Sequence, residues 1–585
     1  MNIVFSTLNA RFSHSSLSLA SLAASCRGLG AITIHEYTIN QAHPEILADL
    51  FLLHPDIICF SCYIWNIEKT LALCYDLKIV SPDLRIILGG PEVSFETKTI
   101  MKHHPEIDFI VKGEGEAVLN YIISRLTDTD EFSQVEGLCW RDGDNIYTSE
   151  NLALVKNFSE LPRPAYEQLA SLKDRIIYYE SSRGCPFNCT YCLSSTVPGV
   201  RFLPLARVQE DLKYLLSIGA RQIKFVDRTF NADERRAIHI MEFILGQDSS
   251  SKFHFEIRAE LLSDSFINFL KSVPPGRFYF EIGIQSTCPE ALQAVNRPAS
   301  WDKSRSIITQ LRLETAVHLH LDLIAGLPRE DLNRFKESFN QVLGLAPHVL
   351  QLGFLKLLKG SPLAIDADRH GYAFQEQPPY QILKNNYLSY QELVLLQDIE
   401  EVLERYYNSQ VFYHTIGYLI ENWYRGDAFR LFQDIAHFWR EKDCYLKGHK
   451  RDEEYSLLYE FANLINPPNI QTVKEYLKFD YLQNQGPRHM PSVLQDGDAA
   501  SSNELAYNLV KNEELVMKFI PHLKKASIGD RRRRIHLEIF SVSPLTGAAA
   551  PCAHAVLFVY PPGSPRAKDC FLVNTMLLEA TGGLS

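Results

Sequence analysis

Twice along this chain, short β-branched runs alternate with longer helical stretches, and that alternation restricts the fold to parallel βα layers. In the first series the runs fall at residues 3–6, 32–37, 56–61, 85–88 and 107–111, with helical stretches at 17–27, 44–53, 67–79 and 96–103 between them. Five strands with intervening helices predict a parallel sheet covered on both faces, a Rossmann-like or flavodoxin-like layer. Ligands of such sheets bind outside the carboxyl ends of the strands, here residues 6–16, 61–66, 89–94 and 113–116. A hairpin is expected at 136–148, turning through Asp142-Gly143-Asp144-Asn145, and Leu161-Pro162-Arg163-Pro164 reads as a linker. The second series has strands at 176–180, 222–226, 254–258, 278–284, 318–324 and 350–355. Six such strands predict a partial (β/α) barrel with its chemistry at the C-terminal strand ends.

Beyond Pro378-Pro379 the composition shifts to aromatic-rich helices, expected at 387–407, 414–432 and 454–465, before strands return at 535–541 and 555–560. The expectation is an α/β protein with three domains: a Rossmann-like layer over 1–155, a partial (β/α)6 barrel over 170–370, and a mainly helical extension with a few strands over 375–560. The tail after Pro544 is weakly patterned, and there is no internal repeat or low-complexity tract.

Apolar residues make up 46% of the 585, enough for several buried cores, and the net charge is −11. An acidic balance argues against a general phosphate-coating surface, so nucleic acid is not indicated as a partner. No run approaches 18 apolar residues, so no membrane span is expected. The opening Met1-Asn2-Ile3-Val4-Phe5 lacks the basic region of a signal peptide and reads as a strand, which suggests a cytosolic protein. Twelve cysteines in a reducing compartment point to metal binding, catalysis or burial rather than to disulfides.

Three of them sit within eight residues, in Ser182-Arg183-Gly184-Cys185-Pro186-Phe187-Asn188-Cys189-Thr190-Tyr191-Cys192, directly after the first barrel strand. Seven residue steps span at most about 25 Å, and Gly-Cys-Pro favours a loop that folds back. Cys185, Cys189 and Cys192 can then converge on one cubane and leave its fourth iron without a protein ligand, whereas ferredoxin-type sites use four cysteines. Zinc wants four ligands, and no second pair follows at a suitable spacing.

The loop, with aromatic Tyr191 before the third cysteine, resembles the signature of the radical S-adenosylmethionine (SAM) superfamily. The resemblance implies a [4Fe-4S] cluster whose open iron chelates SAM. It also implies one-electron cleavage to a 5′-deoxyadenosyl radical, with an external reductant such as flavodoxin or ferredoxin. It carries over to later strand ends, in residues 176 to about 365. Asp227, in Phe225-Val226-Asp227-Arg228, stands where the family places an acidic group near the SAM amino group, though Glu is often found there. Glu256 resembles the carboxylate that holds the ribose hydroxyls. Gln285 falls at the SAM edge, Arg297 matches an arginine that meets the SAM carboxylate, and Asp322 matches another SAM-facing acid.

A Rossmann-like layer before such a barrel resembles the cobalamin-binding subfamily. Gly89 and Gly90, and Gly113 and Gly115 in Val111-Lys112-Gly113-Glu114-Gly115-Glu116, look like loops that would let backbone approach a large flat ligand. Glu114 and Glu116 argue against a phosphate cradle. The D-x-H-x-x-G motif of many such domains does not occur in residues 1–150. His14 is either a cobalamin contact or an ordinary loop histidine. Cys59 and Cys62 read as buried thiols, which weighs against a methylthiotransferase. The C-terminal extension resembles an uncharacterised (DUF4080-like) branch of this subfamily, and the run Arg531–Arg534 reads as a solvated face or a phosphate-binding patch. The leading expectation is therefore a cobalamin-dependent radical SAM enzyme methylating carbon in an unidentified substrate. Radical cyclisation, rearrangement or oxidation, and an iron-sulfur or corrinoid binding protein, stand as alternatives.

Overall fold

In the computed structural model the described residues are 1–126, 130–169, 172–197, 199–467, 469–495, 499–542 and 549–573. Residue 170, expected to open the barrel domain, and the tail from Pro544 lie partly or wholly outside them. The chain divides into two compact bodies, residues 1–393 and 394–585.

The first body begins with β1 (Asn2–Asn9), β2 (Ala31–Thr38), β3 (Ile57–Ser61), β4 (Arg85–Gly89) and β5 (Phe109–Val111), followed by β6 (Leu138–Asp142) and β7 (Asn145–Thr148). They form one sheet in the order β2-β1-β3-β4-β5-β6-β7, parallel through β5. The expected hairpin is thus an antiparallel extension of the sheet through β6 and β7. Successive residues feed opposite cores. Ile3, Phe5, Ile57, Cys59 and Ile87 face Leu19 and Ala23 of the helix Leu17–Ser25, while Val4, Ile58, Phe60, Ile86 and Leu88 face Leu50, Leu73 and Leu77. With both faces covered, β1, β3, β4 and β5 are buried almost throughout without alternation, whereas the edge strands β2 and β7 alternate. The order reverses between β1 and β3, so the crevice for a ligand lies at their C-terminal ends.

The same body continues with β8 (Ile176–Tyr179), the antiparallel pair β9 (Ser182–Cys185) and β10 (Gly199–Phe202), then β11 (Gln222–Phe225), β12 (Lys252–Ile257), β13 (Phe278–Gln285), β14 (His318–Ala325) and β15 (Val349–Phe354). Six of these make an all-parallel sheet in chain order, β8-β11-β12-β13-β14-β15, with helices between successive strands. Here burial alternates. Phe225, Phe253, Phe255, Phe278, Phe280, Leu319 and Leu321 are buried, whereas Tyr178, Lys224, His254, Glu256, Glu281, His320 and Asp322 occupy the other face. The buried Phe rings meet edge-on or tilted, Phe255 against Phe225 at 4.8 Å and against Phe278 at 5.5 Å. A short pair, β16 (Ala373–Phe374) and β17 (Ile382–Lys384), follows the last strand.

The first sheet is joined to the second at β8. Ile176 N–H donates to Ser13 O at 2.7 Å, and Arg175 forms a buried ion pair with Glu36 at 2.5 Å. Arg175 Nε also donates to Phe12 O at 3.0 Å.

The second body is helical, with α-helices including Ala428–Glu441, Arg451–Ile465 and Ile470–Gln485, closed by the antiparallel sheet β18 (Ile535–Val542), β19 (Ala549–Val559) and β20 (Asp569–Val573). The single helix expected over 414–432 is two. A helix Tyr413–Tyr418 runs into a π-helical turn Leu419–Trp423. Arg425 and Gly426 then take left-handed φ values of 52° and 88°, and Asp427 caps the next helix by accepting from Arg430 N–H. The arginine run is not one solvated face. Arg531 is buried, donating to the carbonyls of Val510 and Leu523 and to Glu513. No described helix is long and apolar enough to cross a membrane.

Candidate active site

The three clustered cysteines hang from the β9–β10 hairpin, whose register sets Cys185 opposite Gly199 and Arg183 opposite Arg201. Gly184 has φ +102°, and a Cβ there would meet Gly199 O at 2.2 Å, so only glycine fits before the first cysteine. The loop is then held from three sides. Thr190 N–H donates to Val295 O, Leu363 N–H to Thr190 O, and Asn296 Nδ2 to Asn188 O. The Arg258 guanidinium lies 4.0 Å over the Phe187 ring. Cys189 is buried, Cys185 and Cys192 are half-buried, and Tyr191 has its phenol pushed up by burial.

Around this loop the polar face of the barrel sheet gathers its titratable groups. Arg297 Nη1 reaches Cys189 Sγ at 3.7 Å and Nη2 donates to Gly283 O, while its buried Nε has no hydrogen-bond partner among the described residues. Gln285 adopts φ +70° at a bulge in β13, and its buried Oε1 is likewise without a partner among them. Glu256 is pushed up to about 7 by burial and by the neighbouring Glu281. Burial alone would raise Glu281 too, but His254 at 2.8 Å and Lys224 at 2.9 Å hold it well below the ordinary carboxylate value. Asp322 is raised by burial and meets His320 Nε2 at 3.1 Å. Below Gln285, Glu330 accepts from Ser286 at 2.5 Å and Ser338 at 2.9 Å and is pushed up to about 7 by burial.

Other expected positions have different surroundings. Asp227 is buried and fully engaged: its two oxygens accept from Ser181 Oγ and Ser182 Oγ at 2.6 Å and from Ser181 N–H at 3.0 Å. These bonds fix the turn between β8 and the cysteine hairpin. The glycine loops of the first sheet are closed by their own backbone. A Cβ on Gly90 would meet Cys62 O at 2.4 Å, and one on Gly113 would meet Ala153 O at 2.5 Å. Gly89 has Val111 at ordinary contact distance, and Gly115 faces Leu22. Tight internal packing thus requires glycine at 90 and 113, but not at 89. His14 Nδ1 lies 2.5 Å from Tyr178 OH on the polar face of the barrel sheet, and burial with nearby Arg11 lowers its pKa. Cys59 and Cys62 are buried thiols, with Cys62 raised by burial. Sequence reasoning missed Lys224, His254 and His320 as site-lining groups; their period-two spacing opposite buried Phe and Leu was the available signal.

Against this geometry, models of known families match three segments. The B12 binding domain matches residues 4–122, the radical SAM superfamily residues 179–342, and a family of unknown function, DUF4080, residues 368–558. The chain thus carries a B12-binding domain, a radical SAM domain and a DUF4080 region, in that order. It is 27% identical to an uncharacterised methyltransferase of Pyrococcus horikoshii over 291 residues, 47% of this chain and 61% of that protein. It is 23% identical to the cobalamin-dependent radical SAM methyltransferase TokK of Streptomyces tokunonensis over 348 residues, 56% of this chain and 50% of TokK. The chain thus matches only half to three-fifths of the length of these relatives. The solved cobalamin-dependent SAM radical enzyme OxsB, with aqua-cobalamin and SAM bound, shares the fold at a TM-score of 0.58 and 18% identity, covering 82% of this chain and 79% of that one.

A radical SAM domain implies a [4Fe-4S] cluster and SAM, and a B12-binding domain implies cobalamin. No three described His, Cys, Asp or Glu side chains converge on a position for one ion. A cubane instead presents separate iron corners to separate thiolates, and three loop cysteines suit it. The unpartnered Arg297 Nε and Gln285 Oε1 beside the loop fit a ligand carrying a carboxylate and hydrogen-bonding groups, since buried polar atoms are rarely left unpaired.

Proposed function

We propose that this chain is a cobalamin-dependent radical SAM enzyme that methylates an unactivated carbon of its substrate, drawing electrons from a carrier such as flavodoxin or ferredoxin. The observation that carries the reading is the meeting, at the C-terminal end of β13, of the three-cysteine loop with the unpartnered polar atoms of Arg297 and Gln285. When bound, the cluster with SAM supplies a carbon-centred radical and cobalamin supplies the methyl group.

In this reading Cys185, Cys189 and Cys192 hold the cluster and leave one iron open. Arg297, fixed by Gly283 O and Cys189 Sγ, offers its free Nε to the SAM carboxylate. Gln285 offers its free carbonyl at the SAM edge, and Tyr191 shields the cluster from water. Glu256, near neutrality in its titration, accepts from ribose hydroxyls, and Asp322 holds a proton or accepts one through His320. Gln351, hydrogen-bonded to His320 at 3.1 Å, extends this line across β15. The crevice where β1 and β3 diverge takes the corrin, with His14 at its border with the barrel sheet.

The test is anaerobic reconstitution with iron and sulfide, followed by dithionite, SAM and hydroxocobalamin, with 5′-deoxyadenosine and retained corrinoid both measured. Release of 5′-deoxyadenosine by the wild type and its loss in Cys189→Ala are expected, together with corrinoid retained through gel filtration. An intact cluster whose EPR signal is unmoved by SAM would sink the radical reading. Failure to retain corrinoid would sink the methyl-transfer part alone.

A further inference from the structure

We propose that Arg183 is a positioning residue for the cysteine loop, and that the loop Gly113–Glu116 of the N-terminal domain is the strap that holds it. The inference rests on the cluster assignment proposed above. Arg183 lies two residues before Cys185 on β9, so the two side chains leave the same face of the hairpin and turn together. Its guanidinium is shared between two elements. Nε and Nη2 donate to Glu180, at 3.0 and 2.8 Å, and Nη2 also donates to Glu116 at 2.8 Å. Nη1 stands 3.6 Å from Glu114. Arg201, opposite Arg183 in register, pairs with the same Glu114 through both terminal nitrogens, at 2.8 and 2.5 Å.

The strap is itself stiff. Glu114 Oε2 accepts Val155 N–H at 2.6 Å, and the backbone is tied on both sides of Gly113, with Glu114 N–H donating to Ala153 O at 2.9 Å and Ala153 N–H to Lys112 O at 2.9 Å. A planar guanidinium with five fixed donors specifies orientation as well as charge, and a buried carboxylate left without it is strongly disfavoured. Rotation of the hairpin, and with it of Cys185, would break the pairs to Glu114 and Glu116 together. This accounts for the two acidic residues at a helix start, where repulsion ruled out a phosphate: they meet arginines, and the arginines carry the cluster stem.

The experiment uses the full-length protein reconstituted with iron and sulfide, comparing wild type, Arg183→Ala, Arg183→Lys, Glu116→Gln and Cys189→Ala. Iron per chain, the EPR signal of the dithionite-reduced cluster and the rate at which its visible absorbance is lost in air are followed. Arg183→Ala and Glu116→Gln are expected to hold the cluster about tenfold more weakly than wild type and to lose it correspondingly faster, with altered EPR and unchanged far-UV circular dichroism. Arg183→Lys, which keeps the charge without the fork, should fall between. Should Arg183→Ala misfold, Glu116→Gln decides by the same readouts, because it leaves the Arg183–Glu180 pair in place. A wild-type loss rate and EPR signal in Arg183→Ala or, if that variant misfolds, in Glu116→Gln, with the cluster absent from Cys189→Ala, would overturn the strap. Retention of the cluster in Cys189→Ala would instead overturn the assignment on which it rests.

Discussion

The two parallel sheets of the first body are built alike and used differently. In the N-terminal sheet, adjacent residues such as Ile87 and Leu88 are both buried, each in its own core. Such a sheet offers a ligand only its strand ends. In the barrel sheet, adjacent residues such as His318 and Leu319 divide between a polar face and a core. Its strands give a ligand a whole wall, from Lys224 and Glu281 up to Gln285 and Asp322. The difference teaches where to look for chemistry in an α/β chain: alternation inside a parallel sheet marks a face that is not there for packing.

The contrast can be broken in three ways. The largest effect is expected where the sheets join. Arg175→Ala leaves Glu36 as a buried unpaired charge and should cost about 3–5 kcal/mol of stability, read as a drop in the urea midpoint. A loss under about 1 kcal/mol would mean the joint is solvated. Next come neighbours compared within each sheet. Ile87→Ala and Leu88→Ala should each cost about 2–5 kcal/mol. Leu319→Ala should cost as much, while its neighbour His318→Gln stays within about 0.5 kcal/mol. Equal losses at 318 and 319 would show the polar face to be a core after all.

The smallest effect is a pH dependence. Glu330 is raised to about 7 in the fold, so the native state holds its proton more tightly than the unfolded chain. Stability therefore falls as pH rises from the ordinary carboxylate value through about 7. Glu330→Gln removes that slope, and its advantage over wild type should grow by on the order of 1–2 kcal/mol between pH 5 and pH 8. An advantage that stays constant across that range would place Glu330 in a solvated site.

Much of this was legible in the sequence, for local reasons. The cysteine spacing lies within eight residues, the βα alternation within single elements, and Gln285 closes its own strand, so each of these signals is local. What stayed hidden was long-range pairing. Asp227 gives no hint that Ser181 and Ser182, some 46 positions back, will occupy both its oxygens. Glu114 and Glu116 could be read as unsuited to phosphate, but their partners Arg183 and Arg201 are 67 and 87 residues away. The break at Arg425 and Gly426 was missed because aromatic residues continue across it on both sides. Nor does periodicity separate a glycine needed by a ligand from one needed by Ala153.

The bulge in β13 has a consequence for how such a chain can change over time. Between Gly283 and Gln285 the strand steps one residue against β14, pairing Gly283 with Asp322 and Gln285 with Leu323. Elsewhere in this sheet a one-residue insertion would send Lys224 or Glu281 into the phenylalanine core, whereas in β3 or β4 of the N-terminal sheet it would exchange one apolar face for another. The bulge is the point where a surplus residue is already absorbed. Descendants of this chain therefore meet a smaller polarity penalty for a length change in β3 or β4 than in the barrel strands. In the barrel sheet, length changes are confined to this step, and the side chain that moves when it shifts is Gln285.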